Sequence, residues 1–309
     1  MADKIATRQS YGEALVELGA SHPELVVMDA DLSGSTKTGM FAKAYPDRFF
    51  NMGIAEQGMY ATAAGLALSG KTVCASTFAM FAAGRAYEII RNSIGYTKAN
   101  VKICATHAGI TVGEDGASHQ TFEDIALMRN IPGMTVLNPS DDVSAKKLIA
   151  KAVEMEGPCY IRLGRAAVPV FYDDSVELEI GKGIQLRDGK DVTIIATGIM
   201  ISEAMAAAET LAADGIDARV VDIHTIKPID EEIIIKAAQE TGAIVTAEEH
   251  SVIGGLGSAV SEVVVKNAPV KMAFVGQKDT YGESGKPDEL KAKYGMNADA
   301  IVKAVKGLL

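Results

Sequence analysis

Apolar and polar positions recur along this chain with two different periods. Short, mostly apolar runs at Leu25–Asp29, Phe49–Met52, Thr72–Thr77, Val101–Thr106, Thr135–Leu137 and Tyr160–Leu163 read as strands. Segments of helical spacing lie between them: Tyr11–Ala20, Gln57–Leu68, Ala79–Ser93, Phe122–Met128 and Asp141–Met155, the last with Ser140 as its predicted N-cap. Apolar strands separated by helices predict βαβ units and a mostly parallel sheet covered on both faces. The period is lost at Val168-Pro169-Val170-Phe171-Tyr172-Asp173-Asp174-Ser175, which reads as a linker. Beyond it, Lys182–Arg187 and Asp191–Thr197 flank Asp188-Gly189, a tight-turn signal that predicts a hairpin. A second alternating series follows: helix Ser202–Ala213, strand Ala218–Asp222, helix Glu231–Thr241, strand Ala243–Ala247, helix Ser258–Val265, strand Val270–Val275 and helix Ala298–Val305. The expected fold class is α/β, with two open α/β domains at residues 1–170 and 186–309 joined by a linker at 171–185.

Composition narrows the functions available. A chain of 309 residues that is 48% hydrophobic can bury two substantial cores. Its formal charge of -10 argues against non-specific binding to nucleic acid or an anionic membrane, though local arginines can still hold a small anion. Cys74, Cys104 and Cys159 form no CxxC pair, and each sits in or beside an apolar strand, as buried thiols of a reducing compartment do. The N-terminus lacks the apolar core of a secretory signal, and no run of about 18 apolar residues predicts a membrane span. A cytoplasmic protein is expected.

Candidate chemistry concentrates in residues 106–120, Thr-His-Ala-Gly-Ile-Thr-Val-Gly-Glu-Asp-Gly-Ala-Ser-His-Gln, directly after a predicted strand. The carboxyl ends of strands in open α/β sheets are where such folds bind ligands. Two imidazoles, His107 and His119, with Glu114 and Asp115 suit the binding of several hydroxyls and proton exchange near neutral pH. Taken alone, the loop is equally well explained as a solvated connection. The two histidines lack helix-borne ligand spacing and no cysteine pair accompanies them, so no metal ligands are assigned. Glu56 opens a helix rich in small residues, where a cofactor can lie close; complementing the helix dipole is the simpler alternative. Phe78 and Phe81 share a face at a strand-to-helix junction and suit an aromatic ring as well as a core. Arg8, Ser35 and Arg165 form a phosphate clamp if the strand ends that carry them converge. Gly254-Gly-Leu-Gly257 reads as a tight turn, and Glu248-Glu249-His250 as an interface or structural polar cluster.

Together, Ala6-Thr7-Arg8, Asp29-Ala-Asp-Leu-Ser-Gly-Ser35, Gly53-Ile-Ala-Glu-Gln57, Ser76-Thr-Phe-Ala-Met-Phe81, Val112-Gly-Glu-Asp-Gly-Ala-Ser-His-Gln120 and Gly164-Arg165 resemble transketolase, over that enzyme's C-terminal half only. The resemblance implies a thiamine-diphosphate pyrimidine-binding domain followed by a transketolase C-terminal-like domain. It implies that Glu56 hydrogen-bonds N1′ of the aminopyrimidine, which Phe78 and Phe81 flank, with Asp31 near the cofactor. His107 and His119 are then catalytic and bind substrate hydroxyls, Asp115 contacts a sugar hydroxyl, and Arg8, Ser35 and Arg165 grip a distal phosphate. Ala108-Gly109 departs from the Asp-Ser of many transketolases, and Gly84 stands where they often carry a tyrosine.

Nothing in the chain resembles the Gly-Asp-Gly…Asn motif that holds Mg2+ and the diphosphate in this superfamily. The resemblance therefore implies an N-terminal, diphosphate-binding partner subunit that carries the Mg2+, and a two-fold symmetric α2β2 assembly. The expected reaction is transfer of a two-carbon ketol unit between sugar phosphates. Alternatives are a subunit acting on a branched or sulfonated sugar, the beta subunit of a 2-oxoacid dehydrogenase, and a non-catalytic subunit.

Overall fold

The structure, a computed structural model, describes residues 3–309. Strand β1 (Lys4–Ala6) leads into α1 (Thr7–Ser21), followed by β2 (Leu25–Asp29), the short helices α2 (Ser33–Thr36) and α3 (Gly39–Ala44), and β3 (Phe49–Asn51). Then come α4 (Glu56–Leu68), β4 (Thr72–Phe78), α5 (Tyr87–Ile89), β5 (Val101–Thr106), α6 (Asp124–Arg129), β6 (Thr135–Leu137), α7 (Asp142–Glu154), β7 (Cys159–Arg162) and β8 (Ala167–Pro169). The second half comprises β9 (Ile184–Arg187), β10 (Val192–Ala196), α8 (Met200–Ala213), β11 (Ala218–Asp222), β12 (Thr225–Lys227) and α9 (Glu231–Thr241). It closes with β13 (Ala243–Ser251), α10 (Leu256–Asn267), β14 (Lys271–Gln277), α11 (Pro287–Tyr294) and α12 (Ala298–Leu308).

The first sheet has seven strands in the order β12-β6-β7-β5-β4-β2-β3. Its members β2, β4, β5, β6 and β7 are buried along their whole length, as parallel strands covered on both faces must be. Their apolar runs were legible for that reason. Register then fixes the site: Phe78 at the end of β4 pairs with Thr106 at the end of β5, and Ala105 pairs with Arg162 of β7. Asp29 at the end of β2 pairs with Ser76 on one side and Asn51 on the other. The loops after β2, β4, β5 and β7 thus leave one edge of the sheet together.

The second sheet has five strands in the order β14-β13-β10-β11-β9, and here the predicted hairpin is corrected. Both edges of β10 are taken by parallel partners, β11 and β13, so β9 pairs antiparallel with β11 instead. Gly189 crosses the start of β11, where the Lys190 and Asp191 amides donate to the Asp217 carbonyl at 3.1 and 3.0 Å.

Two further expectations are revised. Asp141, not Ser140, caps α7: its carboxylate accepts from the Ser144 amide at 2.8 Å, and the Ser144 hydroxyl reciprocates at the Asp141 amide. Ser140 turns its hydroxyl to Asp222. The helix expected at 79–93 is not a regular α-helix. π-helical turns at Phe81–Arg85 and Ile90–Gly95 flank α5, and the Ala86 amide reaches back to the Phe81 carbonyl.

The two halves are stitched together. β12 joins the first sheet antiparallel to β6, and one apolar core contains Ile125, Met128 and Met134 alongside Ile223, Ile226, Leu256 and Val260. The chain between them has no regular element from 170 to 183, yet the Phe171 and Tyr172 amides both donate to Asp141 Oδ2 and Leu178 is buried. No helix among the described residues is long and apolar enough to cross a membrane.

Candidate active site

Glu56 begins α4 and is only 2% exposed. Both of its carboxylate oxygens lie 3.1 Å from Nη1 of Arg85, whose guanidinium sits 4.9 Å over the ring of Phe81. The rings of Phe81 and Phe78 are nearly parallel, 15° apart with centroids at 6.0 Å. Phe78 in turn stacks on the imidazole of His107 at 3.9 Å, and His119 meets both phenylalanines edge-on, at 6.1 and 5.4 Å. A row of flat groups therefore runs from His107 to the carboxylate of Glu56, with His119 against its side. One turn along α4, the Tyr60 hydroxyl is buried with no hydrogen-bond partner. These five sequence-predicted residues (Glu56, Phe78, Phe81, His107 and His119) are brought together.

The loop after β5 explains the electrostatics. His107 holds a left-handed φ of 58°, an uncommon conformation for a side chain of this size. Its Nδ1 is 2.9 Å from the Thr106 hydroxyl and its Nε2 is 3.2 Å from Arg8 Nη1. A guanidinium only donates, so Nε2 accepts and the proton resides on Nδ1, directed at Thr106. Burial first, then the positive Arg8 and Arg165 and the neighbouring His119, lower the His107 pKa from 6.5 to about 3. His107 is thus a neutral imidazole of fixed tautomer. This departs from the expectation that both histidines exchange protons near neutral pH.

Arg8 and Arg165 lie near one another, but each is engaged within the chain. Arg8 donates to the Ser35 carbonyl at 2.9 Å, so Ser35 enters through its backbone and not its hydroxyl. Arg165 donates to the Val112 carbonyl at 2.8 Å and to Glu114 at 2.9 Å. Burial and then the charge of Arg165 lower the Arg8 pKa, and Arg8 Nε is buried without a partner. Asp115 is exposed at the end of a 3-10 segment, Ile110–Asp115, that is kinked at Gly113. Asp31 (φ 64°) is exposed and exchanges hydrogen bonds with Asn51, at 3.1 Å through its amide and 2.9 Å through its carboxylate, outside the row of rings. The buried Asp29 holds that loop in shape by accepting from Thr36 at 2.6 Å and Thr38 at 2.8 Å.

Sequence reasoning missed Arg85 and Tyr60. Tyr60 carried a signal, standing four residues after Glu56 on one face of α4; Arg85 carried none, because a π-helical turn separates it from Phe81.

Residues 3–170 match the family model described as the transketolase pyrimidine binding domain, and residues 181–301 match the transketolase C-terminal domain. The chain is 54% identical over 301 residues to a Methanocaldococcus jannaschii protein named for the transketolase C-terminal section, covering 96% of this chain and 94% of that one. It is 42% identical to the 6-deoxy-6-sulfo-D-fructose transketolase subunit of Clostridium sp. (strain MSTE9), over 96% of this chain and 92% of that subunit. Against Mus musculus transketolase the identity is 40% over all of this chain, which spans 50% of that enzyme's length. A split gene transketolase solved as an inactive beta4 tetramer superposes with a TM-score of 0.93 at 57% identity, covering 99% of this chain and 98% of that one. A buried glutamate beside stacked phenylalanines, on a sheet edge shared with two histidines and two arginines, accords with these matches: the chain belongs to the transketolase family and carries its pyrimidine-binding and C-terminal domains.

Proposed function

We propose that this chain is the C-terminal subunit of a split, thiamine-diphosphate-dependent transketolase that moves a two-carbon ketol unit from a ketose phosphate to an aldose phosphate. The observation that carries the proposal is the Glu56 carboxylate, 2% exposed, at the end of the row Phe81, Phe78 and His107. The donor set fits an aminopyrimidine: an acid for a ring nitrogen, two aromatic faces, and the unpartnered Tyr60 hydroxyl nearby. Thiamine diphosphate, when bound, supplies the carbanion-stabilising chemistry that no side chain here offers.

The chain's own residues take the remaining roles. Glu56 would hold the ring nitrogen by a hydrogen bond, with the cofactor taking the place that Arg85 occupies at that carboxylate. His107, fixed as the neutral Nδ1–H tautomer, offers Nε2 as an acceptor to a substrate hydroxyl in place of Arg8. His119, partly exposed against the two rings, donates at the reacting oxygen. Arg8 and Arg165 bind the distal phosphate by exchanging their contacts to His107 and Glu114, with Ser35 at the clamp's rim and Asp115 reaching a sugar hydroxyl. Asp31, paired with Asn51 outside the row of rings, would stand at the cofactor's periphery in this reading.

The lack of a Gly-Asp-Gly…Asn motif supports an obligate N-terminal partner that holds Mg2+ and the diphosphate. The relative solved as an inactive beta4 tetramer supports the same division of labour. An α2β2 assembly and a cytoplasmic setting belong to this proposal, the latter supported by three buried free thiols. A second reading keeps the chemistry but changes the sugar. Relatives at 42% and 41% identity are named for 6-deoxy-6-sulfo-D-fructose and apulose-4-phosphate.

The test is to assay ketol transfer by the chain with and without a polypeptide bearing the diphosphate-binding domain. Activity is expected only in the mixture, and transfer by this chain alone with thiamine diphosphate and Mg2+ overturns the split. In the mixture, Glu56→Gln should assemble normally and lose transfer by about 10²–10⁴-fold. Undiminished turnover removes Glu56 from the mechanism.

A further inference from the structure

We propose that Glu249, a residue of the second sheet, is a positioning residue that sets the geometry of the histidine loop in the first. Successive residues of a strand face opposite ways, and β13 uses this at adjacent glutamates. Glu248 turns toward its own domain, where its carboxylate accepts from the Leu256 and Gly257 amides at 2.7 and 2.8 Å and caps α10. Glu249 turns the other way and accepts from the Thr111 amide at 2.6 Å. Thr111 is the second residue of the 3-10 segment Ile110–Asp115, which breaks at Gly113 (φ 80°); the leading amides of its first turn lack partners within that turn, and its N-cap, Gly109, has no side chain to serve them. One half of the chain thus supplies the cap that the other lacks.

The contact is built for close approach. A methyl group at Gly109 would lie 2.3 Å from the Glu249 carboxyl carbon, and its φ of +79° also favours glycine. This gives a physical reason for the glycine of Ala108-Gly109. Glu249 is 3% exposed and is itself held in place. Arg162 Nη2 donates to the Glu249 carbonyl at 2.8 Å and Nη1 stands 4.0 Å from its carboxylate. Arg162 is in turn fixed by Asp124 at 2.8 and 3.3 Å, and Tyr160 donates to that same aspartate at 2.7 Å. At the far end of the loop, Gln120 Nε2 donates to the Glu283 carbonyl at 2.9 Å. The second half therefore grips the loop near its start and at its end, with His119 between the two contacts and His107 just before the first. A residue held at positive φ, as His107 is, persists only where its surroundings over-determine it. Glu249 contributes to that restraint.

The role in catalysis rests on the transketolase reading; the restraint does not, and the experiment separates them. Hydrogen exchange on the full chain compares wild type with Glu249→Ala and Glu249→Gln. In Glu249→Ala, amides of 107–120 should exchange at least about 10-fold faster while β13 and α10 keep their protection. Glu249→Gln should stay within about 3-fold of wild type, because an amide oxygen still accepts from Thr111. In the reconstituted two-subunit enzyme, Glu249→Ala should lower kcat about 10²-fold with KM changed less than about 3-fold, and Glu249→Gln should retain most of kcat. Unchanged loop exchange in Glu249→Ala overturns the restraint. A loss of protection spread evenly through the second sheet overturns it too, by showing general destabilisation. Wild-type kcat with a loosened loop overturns the catalytic role, and a wild-type complex without ketol transfer sinks the transketolase reading while the exchange result still decides the restraint.

Discussion

His107 illustrates how much a single side chain inherits from its neighbours. Its ring stacks on Phe78, its Nε2 faces a guanidinium and its pKa falls from 6.5 to about 3. A histidine with a lowered folded pKa stays neutral in the fold while the unfolded chain takes up a proton, so stability falls as pH drops from 6.5 toward 3. By pH 5 the loss from this residue should reach about 2 kcal/mol, and His107→Asn should remove it. Urea titrations of both proteins at pH 7 and pH 5 measure the difference; an equal loss in the variant refutes the assignment. Across the same range the His107 ring protons should show no titration by NMR. The loop carrying His107 and His119 was legible in the sequence because its polar residues cluster after one apolar run. The Glu56–Arg85 pair was not, since it depends on a π-helical turn whose extra residue no regular period announces.

Among the elements, legibility followed locality. Strands buried on both faces declared themselves as apolar runs, and several helices by their spacing, though not α11 or the π-helical turns around α5. What could not be read was pairing: β9 and β10 are adjacent in sequence around a good turn signal, but the demand of β10 for two parallel neighbours outweighs it. The cap of α7 was misplaced by one residue, because Ser140 and Asp141 are both good caps and only the fold shows Ser140 committed to Asp222. Asp141 also accepts from the Phe171 and Tyr172 amides, at 3.0 and 2.9 Å. Asp141→Ala removes a cap and strands buried donors, so it should cost about 3 kcal/mol in chemical denaturation. A change under about 1 kcal/mol would mean that water satisfies those amides.

At the level of the whole molecule, Asp222 joins three regions: it sits at the end of β11 and accepts from Ser140 and from Tyr172 at 3.0 Å, while its Oδ1 is buried without a partner. Burial raises its pKa from 3.8 to about 7, against the two hydrogen bonds and with Asp141 adding to the shift. A carboxyl raised in this way contributes stability below about pH 4 that is lost as pH climbs through 7. Asp222→Asn should therefore gain about 3 kcal/mol on wild type between pH 5 and pH 8, read from denaturation midpoints at each pH. A gap that does not change with pH would show the carboxyl to be ionised throughout. The sequence offered two domains and a break between them; the traffic across that break, with Glu249, Asp222 and a shared core, needed three dimensions.

One consequence belongs to β12. Because Thr225–Lys227 closes the rim of the first sheet against Thr135–Leu137, scissors applied near residue 175 would strip that rim and leave a row of bare amides and carbonyls. Whoever trims this polypeptide to its N-terminal domain should expect that fragment to clump, and should carry the borrowed strand along.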